Sequence, residues 1–382
     1  MDPAPVHSPV TKPQVLVACV SSGEVCGVRD HAALLSDGLT TAGFYPVVEW
    51  GTWSSQPTRA DVDAWLRRVG AQVDQERPDV ILLHYSVFTL AWRGVPVHAV
   101  TVTGALRGLG PPVVILLHEF AYPWGRSGWR GMVWAATQRL ALWFVVSRSA
   151  ALIVTTPDRA EWLASRRWLP RRPMAVAPVF SNLPPAQSPH PATRAGTLIG
   201  LFGYGHESVP LPLLLDALSA LRQTMPRMRL LLLGAPGADS ATGRLMLSLA
   251  RRRGVEDALE FTGVLPAQDL SNALADCDVL LFADLDGPSS RKTTLAASLA
   301  SGRPVVALDG PNTWHDLLRD EAVALVCPTA SALAEEIGRL LADHSAADAL
   351  GARGREFAAR HMSVEEAASV VLRVVRDVVA TS

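Results

Sequence analysis

Short runs of Val, Ile and Leu without polar alternation recur along the 382-residue chain, separated by segments of helical spacing. Gln14–Val20 (QVLVACV), Tyr45–Trp50, Asp79–Tyr85 (DVILLHY), Pro112–His118 (PVVILLH), Ala151–Thr155 and Pro173–Pro178 read as buried strands. Between them lie segments such as Cys26–Gly43, where Ala32, Leu35 and Leu39 share one helical face. Strands apolar on both sides need a sheet covered on both faces, which parallel strands with helical crossovers supply. A doubly wound α/β domain is expected.

The pattern breaks at Ser181–Arg194 (SNLPPAQSPHPATR), whose prolines and sparse apolar content suit a linker. It resumes with Thr197–Gly203, Met228–Gly234, Leu259–Gly263, Asp278–Ala283, Arg303–Leu308 and Ala322–Val326. Three helical segments, Leu333–Ala342, Ala346–His361 and Ser363–Val379, close the chain. The expected organisation is a disordered tail (1–13), a first domain (14–182), a linker (183–195) and a second domain (196–362). A final helix (363–382) can pack back on the first domain. Two Rossmann-like domains would face a central cleft, with ligands at the carboxyl ends of the strands.

Composition narrows the function classes. With 49% hydrophobic residues and a net charge of −1, the chain is neither disordered overall nor electrostatically suited to nucleic acid. Four scattered cysteines with no C-x-x-C pair argue against a disulfide framework and a zinc motif, and for a reducing, cytoplasmic setting. Met1–Pro13 lacks the charged-then-apolar order of a signal peptide. Trp129–Ala151 is interrupted by Arg130, Arg139 and Arg148, so it reads as a buried or surface-lying helix, not a membrane span.

The net charge hides an asymmetry. Residues 1–185 carry 17 basic and 13 acidic groups (+4), and residues 186–382 carry 18 and 23 (−5). Ten of the 11 tryptophans lie in the first half. Trp50, Trp53, Trp65, Trp92, Trp134 and Trp143 are assigned to packing. Trp124 and Trp129, in a Gly-rich loop after a strand, are better placed to stack on a sugar ring or lie at a lipid headgroup region. Peripheral membrane contact through this domain is one expectation.

Four strand-end segments carry candidate chemistry. Ser21–Val28 (SSGEVCGV) has the small residues that let backbone N–H groups, Gly27 among them, approach an anion near a helix start. It lacks the dinucleotide fingerprint and the P-loop lysine. His118-Glu119-Phe120 ends a strand with a histidine beside a carboxylate, with His84 as the competing histidine. Phe202-Gly203-Tyr204-Gly205-His206, Gly234-Ala235-Pro236-Gly237 and Phe261-Thr262-Gly263-Val264 repeat a glycine-bearing strand end. Asp286-Gly287-Pro288-Ser289-Ser290-Arg291-Lys292-Thr293-Thr294 is the most specific. Ser289 or Ser290 would cap a helix whose first turn holds Arg291 and Lys292. Cations there oppose the helix dipole, and a phosphate ligand would explain them.

With these motifs the chain resembles a GT-B glycosyltransferase of the family 4 type over nearly its whole length. The likeness is strongest from Phe202-Gly203 through Phe261-Thr262-Gly263 to Leu295–Val306, where Gly302-Arg303-Pro304-Val305-Val306 resembles the family's G-x-P-V-V strand. The family's E-x7-E glutamates are missing: their places fall at Ser289 and Ala297, and Asp286 is a substitute for the sugar contact.

The resemblance implies a sugar nucleotide held by Gly27, Gly203, Tyr204, Gly263, Val264, Asp286, Ser289, Ser290, Thr293 and Thr294. It implies an acceptor at Glu119, Trp124 and Trp129, retention at the anomeric carbon, and His118 near the reacting sugar. Arg291 and Lys292, with backbone N–H groups of Gly27 and Gly203, would neutralise the departing diphosphate. No resident cofactor or metal is expected. A sugar-nucleotide epimerase of the same fold and a catalytically silent binding protein are the alternatives.

Overall fold

The computed structural model describes residues 13–22, 27–53, 56–125, 128–187 and 196–382. The expected tail up to residue 12, residues 23–26 of the Ser21–Val28 turn and the end of the proline-rich stretch lie outside these residues. The chain divides into two units, one up to Pro178 plus Val364–Ser382, the other Val179–Ser363.

In the first unit a parallel sheet runs in the order β2-β1-β3-β4-β5-β6. Its strands are β1 (Gln14–Ser22), β2 (Tyr45–Trp53), β3 (Val80–Ser86), β4 (Val113–Glu119), β5 (Ala151–Val154) and β6 (Met174–Val176). The crossover helices are α1 (Gly27–Thr41), α2 (Arg59–Glu76), α3 (Ala99–Gly108), α4 (Gly128–Arg148) and α5 (Pro157–Ala164). β3 is buried at every position, as its unbroken apolar run requires. Local chemistry fixes helix ends: Thr58 and Asp61 form a reciprocal capping box at the start of α2. One core cluster joins alternate residues of β1, β3 and β4 (Leu16, Ala18, Ile81, Leu83, Val113, Ile115) to α2, α3 and α4.

The other face of this sheet is covered by α1 and by α13 (Val364–Thr381), the last helix of the chain. α13 buries Ala367, Ala368, Val370, Val371, Val375 and Val378, one stripe at helical spacing. It lies against α1 at Gly38, where a Cβ would come within 3.0 Å of Val364 Cγ2.

In the second unit the parallel order is β12-β11-β10-β7-β8-β9. The strands are β7 (Leu198–Phe202), β8 (Arg229–Leu233), β9 (Leu259–Gly263), β10 (Val279–Phe282), β11 (Val305–Leu308) and β12 (Ala324–Val326). Its α-helices are α6 (Leu211–Thr224), α7 (Ala241–Arg253), α8 (Ala267–Ala275), α9 (Thr293–Ala300), α10 (His315–Arg319), α11 (Ala330–Ala342) and α12 (His344–His361). Apolar clusters pack on both sheet faces, so this unit too is doubly wound.

Two sequence expectations need amendment. The division falls at Pro178/Val179, and part of the expected linker is docked on the second unit. Ser271 Oγ and Gln268 Nε2 of α8 donate to the carbonyls of Pro184 and Pro185, and the Gln187 N–H donates to Asn272 Oδ1. Prolines donate nothing, but their carbonyls still need partners, and α8 provides them. The tryptophans assigned to packing also divide: Trp65 and Trp53 are core residues, whereas Trp92 and Trp143 are exposed. Trp143 sits on the outer side of α4, so its apolar neighbours are not covered.

Candidate functional site

In the second unit, β7 and β10 are neighbours from which the connections wind in opposite directions. Such a switch point opens a crevice at the strand carboxyl ends, where open α/β sheets bind ligands. β7 ends in Gly203 at φ +86°, and a Cβ there would meet Thr294 Cγ2 at 2.9 Å. The turn therefore lies against the first turn of α9, with no room for a side chain.

The adjoining strand ends are knitted to it. The Gly234 N–H donates to Thr262 Oγ1 at 3.0 Å, and Gly234 bridges Gly263. Tyr204, expected at the donor surface, is fully buried. Its hydroxyl accepts from the Gly237 N–H at 2.7 Å and donates to the Gly234 carbonyl. It positions the neighbouring turn and offers no surface to a ligand. Val264, beside Gly263, is 81% exposed and available to an apolar or aromatic ring.

The segment after β10 differs from expectation in a way that changes its electrostatics. The helix begins at Thr293, so Arg291 and Lys292 precede its first turn. Lys292 is the N-cap residue, extended, and makes no side-chain cap hydrogen bond. Neither Ser289 nor Ser290 caps the helix. The loop is tethered elsewhere: the Asn312 and Trp314 N–H groups donate to the Asp286 and Pro288 carbonyls. Lys292 Nζ instead pairs with Asp284 Oδ2 at 2.7 Å.

Asp284 was not singled out from the sequence. Burial pushes its carboxyl up, but hydrogen bonds from Lys292, Ser208 and the Asp286 N–H, with the Lys292 charge, hold it below the usual range. Ser208 Oγ lies 2.6 Å from His206 Nδ1, so a polar chain runs from the β7 loop to the β10 loop. Asp286 is only partly buried. Arg291 is exposed and makes no ion pair among the described residues, so it is the available cation. Ser289 is buried, and its Oγ has no hydrogen-bond partner among the described residues. Gly203, Thr294, Ser208, Asp284 and Lys292 thus converge at one switch point. Asp284 and Lys292 lie in the loop between β10 and α9, where no regular period applies, which is why sequence spacing gave no sign of the pair.

In the first unit, His118 lies at the end of β4 and is partly buried; Glu119 beside it is exposed. The sequence sets His84 and His118 in competition, and the structure brings them together. His84 Nδ1 is 3.1 Å from His118 Nε2, and His31 of α1 stands edge-on to His118 with ring centroids 4.9 Å apart. Burial lowers all three: His31 to about 4, and His84 and His118 well below the ordinary imidazole value. The nearby histidines add to this for His84 and His118, and Arg159 for His118. All three are neutral at pH 7, the form that ligates metals or shares a hydrogen bond. The expectation of no metal rested on the Arg291 and Lys292 cations and on missing local motifs, and it did not consider these three histidines, which come from separate elements.

Trp124 is 50% exposed with the Arg139 guanidinium 4.5 Å from its ring, and Trp129 is 74% exposed beside Arg130. Gly27 opens α1, where a Cβ would meet nothing within 4 Å, so the described contacts do not demand glycine.

Residues 198–343 match the family model described as "Glycosyl transferases group 1". The match falls wholly inside the second unit and includes every residue of its switch-point site. No curated protein sequence matches the chain. Among solved structures, the fold is similar to sucrose-phosphate synthase from Thermosynechococcus elongatus. That match has a TM-score of 0.69 and 18% identity, covering 96% of this chain and 100% of the other. It is also similar to a glycosyltransferase from Rickettsia africae, with TM-score 0.72 and 11% identity over 97% and 100% of the chains. A third is Anabaena HepE, solved in complex with UDP, with TM-score 0.68 and 15% identity over 95% and 99%. The chain has the two-Rossmann-domain fold of GT-B glycosyltransferases.

Proposed function

We propose that the protein is a glycosyltransferase that moves a sugar from a nucleotide-diphosphate sugar to an acceptor hydroxyl. The observation that carries this reading is the convergence of the β7 and β10 loops on the start of α9, within the segment that matches the group 1 model. In this reading the sugar nucleotide sits at that switch point. Backbone N–H groups at Gly203 and the first turn of α9 face the diphosphate, and Arg291 supplies a charge-assisted hydrogen bond to it. Charge on the leaving diphosphate grows as the glycosidic bond breaks, so donors fixed there favour the transition state over the ground state. The diphosphate then requires no metal. Lys292, already paired with Asp284, shapes the site and contributes less net charge than Arg291. Asp284 and Asp286 are the carboxylates available to sugar hydroxyls in place of the family's glutamates. Val264 offers its exposed side chain to the base.

The first unit is assigned the acceptor. Trp124 and Trp129 present ring faces to a sugar, Glu119 accepts from a hydroxyl, and neutral His118 can exchange a hydrogen bond with the reacting sugar. Retention of anomeric configuration follows the family resemblance. The outer side of α4 extends this surface, since Leu140, Trp143, Phe144, Trp168 and Arg139 line one apolar depression with a cationic rim. A lipid surface with anionic headgroups fits both properties, because tryptophan settles at the headgroup level and arginine pairs with phosphate. No described helix is long and apolar enough to cross a membrane.

The test is a thermal-shift series on the full chain with UDP, GDP, ADP and dTDP and their sugars, followed by transfer assays. At least one diphosphate raises the melting temperature, and Arg291→Ala weakens that ligand about 10- to 100-fold, as loss of a charge-assisted phosphate contact would. No response to any of the four removes the proposal. Epimerised sugar nucleotide formed without acceptor supports an epimerase instead. Tight donor binding with neither hydrolysis nor transfer supports a silent binding protein.

A further inference from the structure

The strand face covered by α1 is apolar along most of its length, with Val15, Val17, Leu82, Val114 and Leu116 all buried. At the carboxyl ends this changes. His84 pairs with Leu116 across β3 and β4, and His118, left unpaired where the register shifts after Leu117, brings its Nε2 to 3.1 Å from His84 Nδ1. His31 descends on them from the second turn of α1. We propose that His31, His84 and His118 form a binding site for one divalent d-block cation of the zinc class.

Geometry supports the assignment first. One nitrogen from each ring can be chosen so that all three lie within 4.8 Å of one another. A tetrahedral zinc ion with Zn–N bonds of about 2.0–2.1 Å holds its ligand nitrogens about 3.3 Å apart. The His84–His118 pair, at 3.1 Å, is already close to that separation, and the His31 nitrogen needs an inward shift of at most about 1.5 Å to reach it. The site also occupies the switch point of the first sheet, between β1 and β3, where the fold opens a crevice.

Chemistry points the same way. His84 is 1% exposed, and its Nδ1 faces His118 Nε2 at hydrogen-bond distance, so without a cation one of the two rings must turn its proton toward the other, whereas a cation takes the lone pairs of both facing nitrogens. Three imidazoles crowded into an otherwise apolar face are costly as packing but suited to a borderline-soft cation. The Arg159 guanidinium binds the His118 carbonyl through Nη1 and also reaches Thr155 Oγ1. Three protein ligands leave a fourth position for water or another donor, the pattern of an open zinc site. The inference shares His118 with the proposed acceptor side, but its test reads cation binding alone and does not depend on the sugar-nucleotide site of the second unit.

The test uses the full chain, stripped with chelator and then titrated with Zn²⁺ by calorimetry and with Co²⁺ by visible absorption. One equivalent binds, Co²⁺ gives the intense ligand-field bands of a tetrahedral nitrogen site, and Zn²⁺ raises the melting temperature. His84→Ala weakens binding by at least about 100-fold, as loss of a zinc ligand should. His118→Asn, at a partly exposed position, does the same and covers the event that the buried variant fails to fold. His98→Ala, a histidine outside the cluster, leaves binding unchanged. Absence of stoichiometric binding by the wild-type chain overturns the proposal. So does binding to folded His118→Asn with undiminished affinity and unaltered Co²⁺ bands.

Discussion

Lys292 is one of two lysines in the chain, and its sequence context marks it as a phosphate cation. Its amine is nevertheless committed to Asp284, a carboxylate almost without solvent. Removing one partner strands the other, which costs more than the pair contributes. Lys292→Ala should therefore lower unfolding stability by about 2 kcal/mol, discounted from the fully buried case because the lysine is partly exposed. Adding Asp284→Asn should recover most of that loss, giving a positive coupling in a denaturant-unfolding double-mutant cycle. The sign in pH follows from the depressed Asp284 pKa. Its contribution is complete above the unfolded carboxyl value near pH 4 and is lost as pH falls through the lower folded value. Acid unfolding of Asp284→Asn should show a shallower pH dependence in that window. Gly203 is a second sensitive residue. Gly203→Ala combines a positive φ with a contact on Thr294, and should cost about 1–2 kcal/mol while also weakening diphosphate binding by displacing the start of α9. Unchanged nucleotide affinity in this variant would detach the β7 turn from the site.

At the scale of elements, legibility depended on whether the signal was local. Every apolar run expected as a strand forms one, because a strand buried on both faces needs only consecutive Val, Ile and Leu. The start of α9 was displaced because the loop before it is held by hydrogen bonds from residues 312 and 314, which nothing near residue 290 announces. Tyr204 looked like a ligand contact from its glycine neighbours, yet its hydroxyl is taken by Gly234 and Gly237, 30 and 33 residues away in the chain. The histidine cluster was the least visible feature, since β3, β4 and α1 each contribute one member. α4 was read as buried or surface-lying, and its outer apolar strip is a feature of the folded unit. Vesicles containing anionic lipid should co-float with the protein, and Trp129→Ala with Leu140→Ser should reduce the bound fraction several-fold. Equal recovery with neutral and anionic vesicles would remove the charge component, and no recovery with either would remove the membrane surface.

Across the whole molecule, the two sheets place their polar clusters in corresponding positions, each at a switch point, although the strand orders differ. The sequence halves had already diverged in charge, and the clusters follow: histidines in the tryptophan-rich unit, an Asp–Lys pair in the acidic one. The first unit is discontinuous, because α13 returns to it after the second unit is complete. A chain ending at residue 363 should lose the low-denaturant stability of the first unit while the second keeps its own transition, resolvable by the tryptophan signal concentrated in the first. That return also bears on biosynthesis. A ribosome delivers β1 and α1 before the second unit and α13 after it, so the side of α1 at Gly38 awaits its covering helix throughout translation of the second unit. The later-made unit can close as soon as it emerges, while the earlier one must be shielded or wait. Vectorial synthesis and folding order are therefore reversed, and the final helix is the latch whose arrival permits the older half to mature.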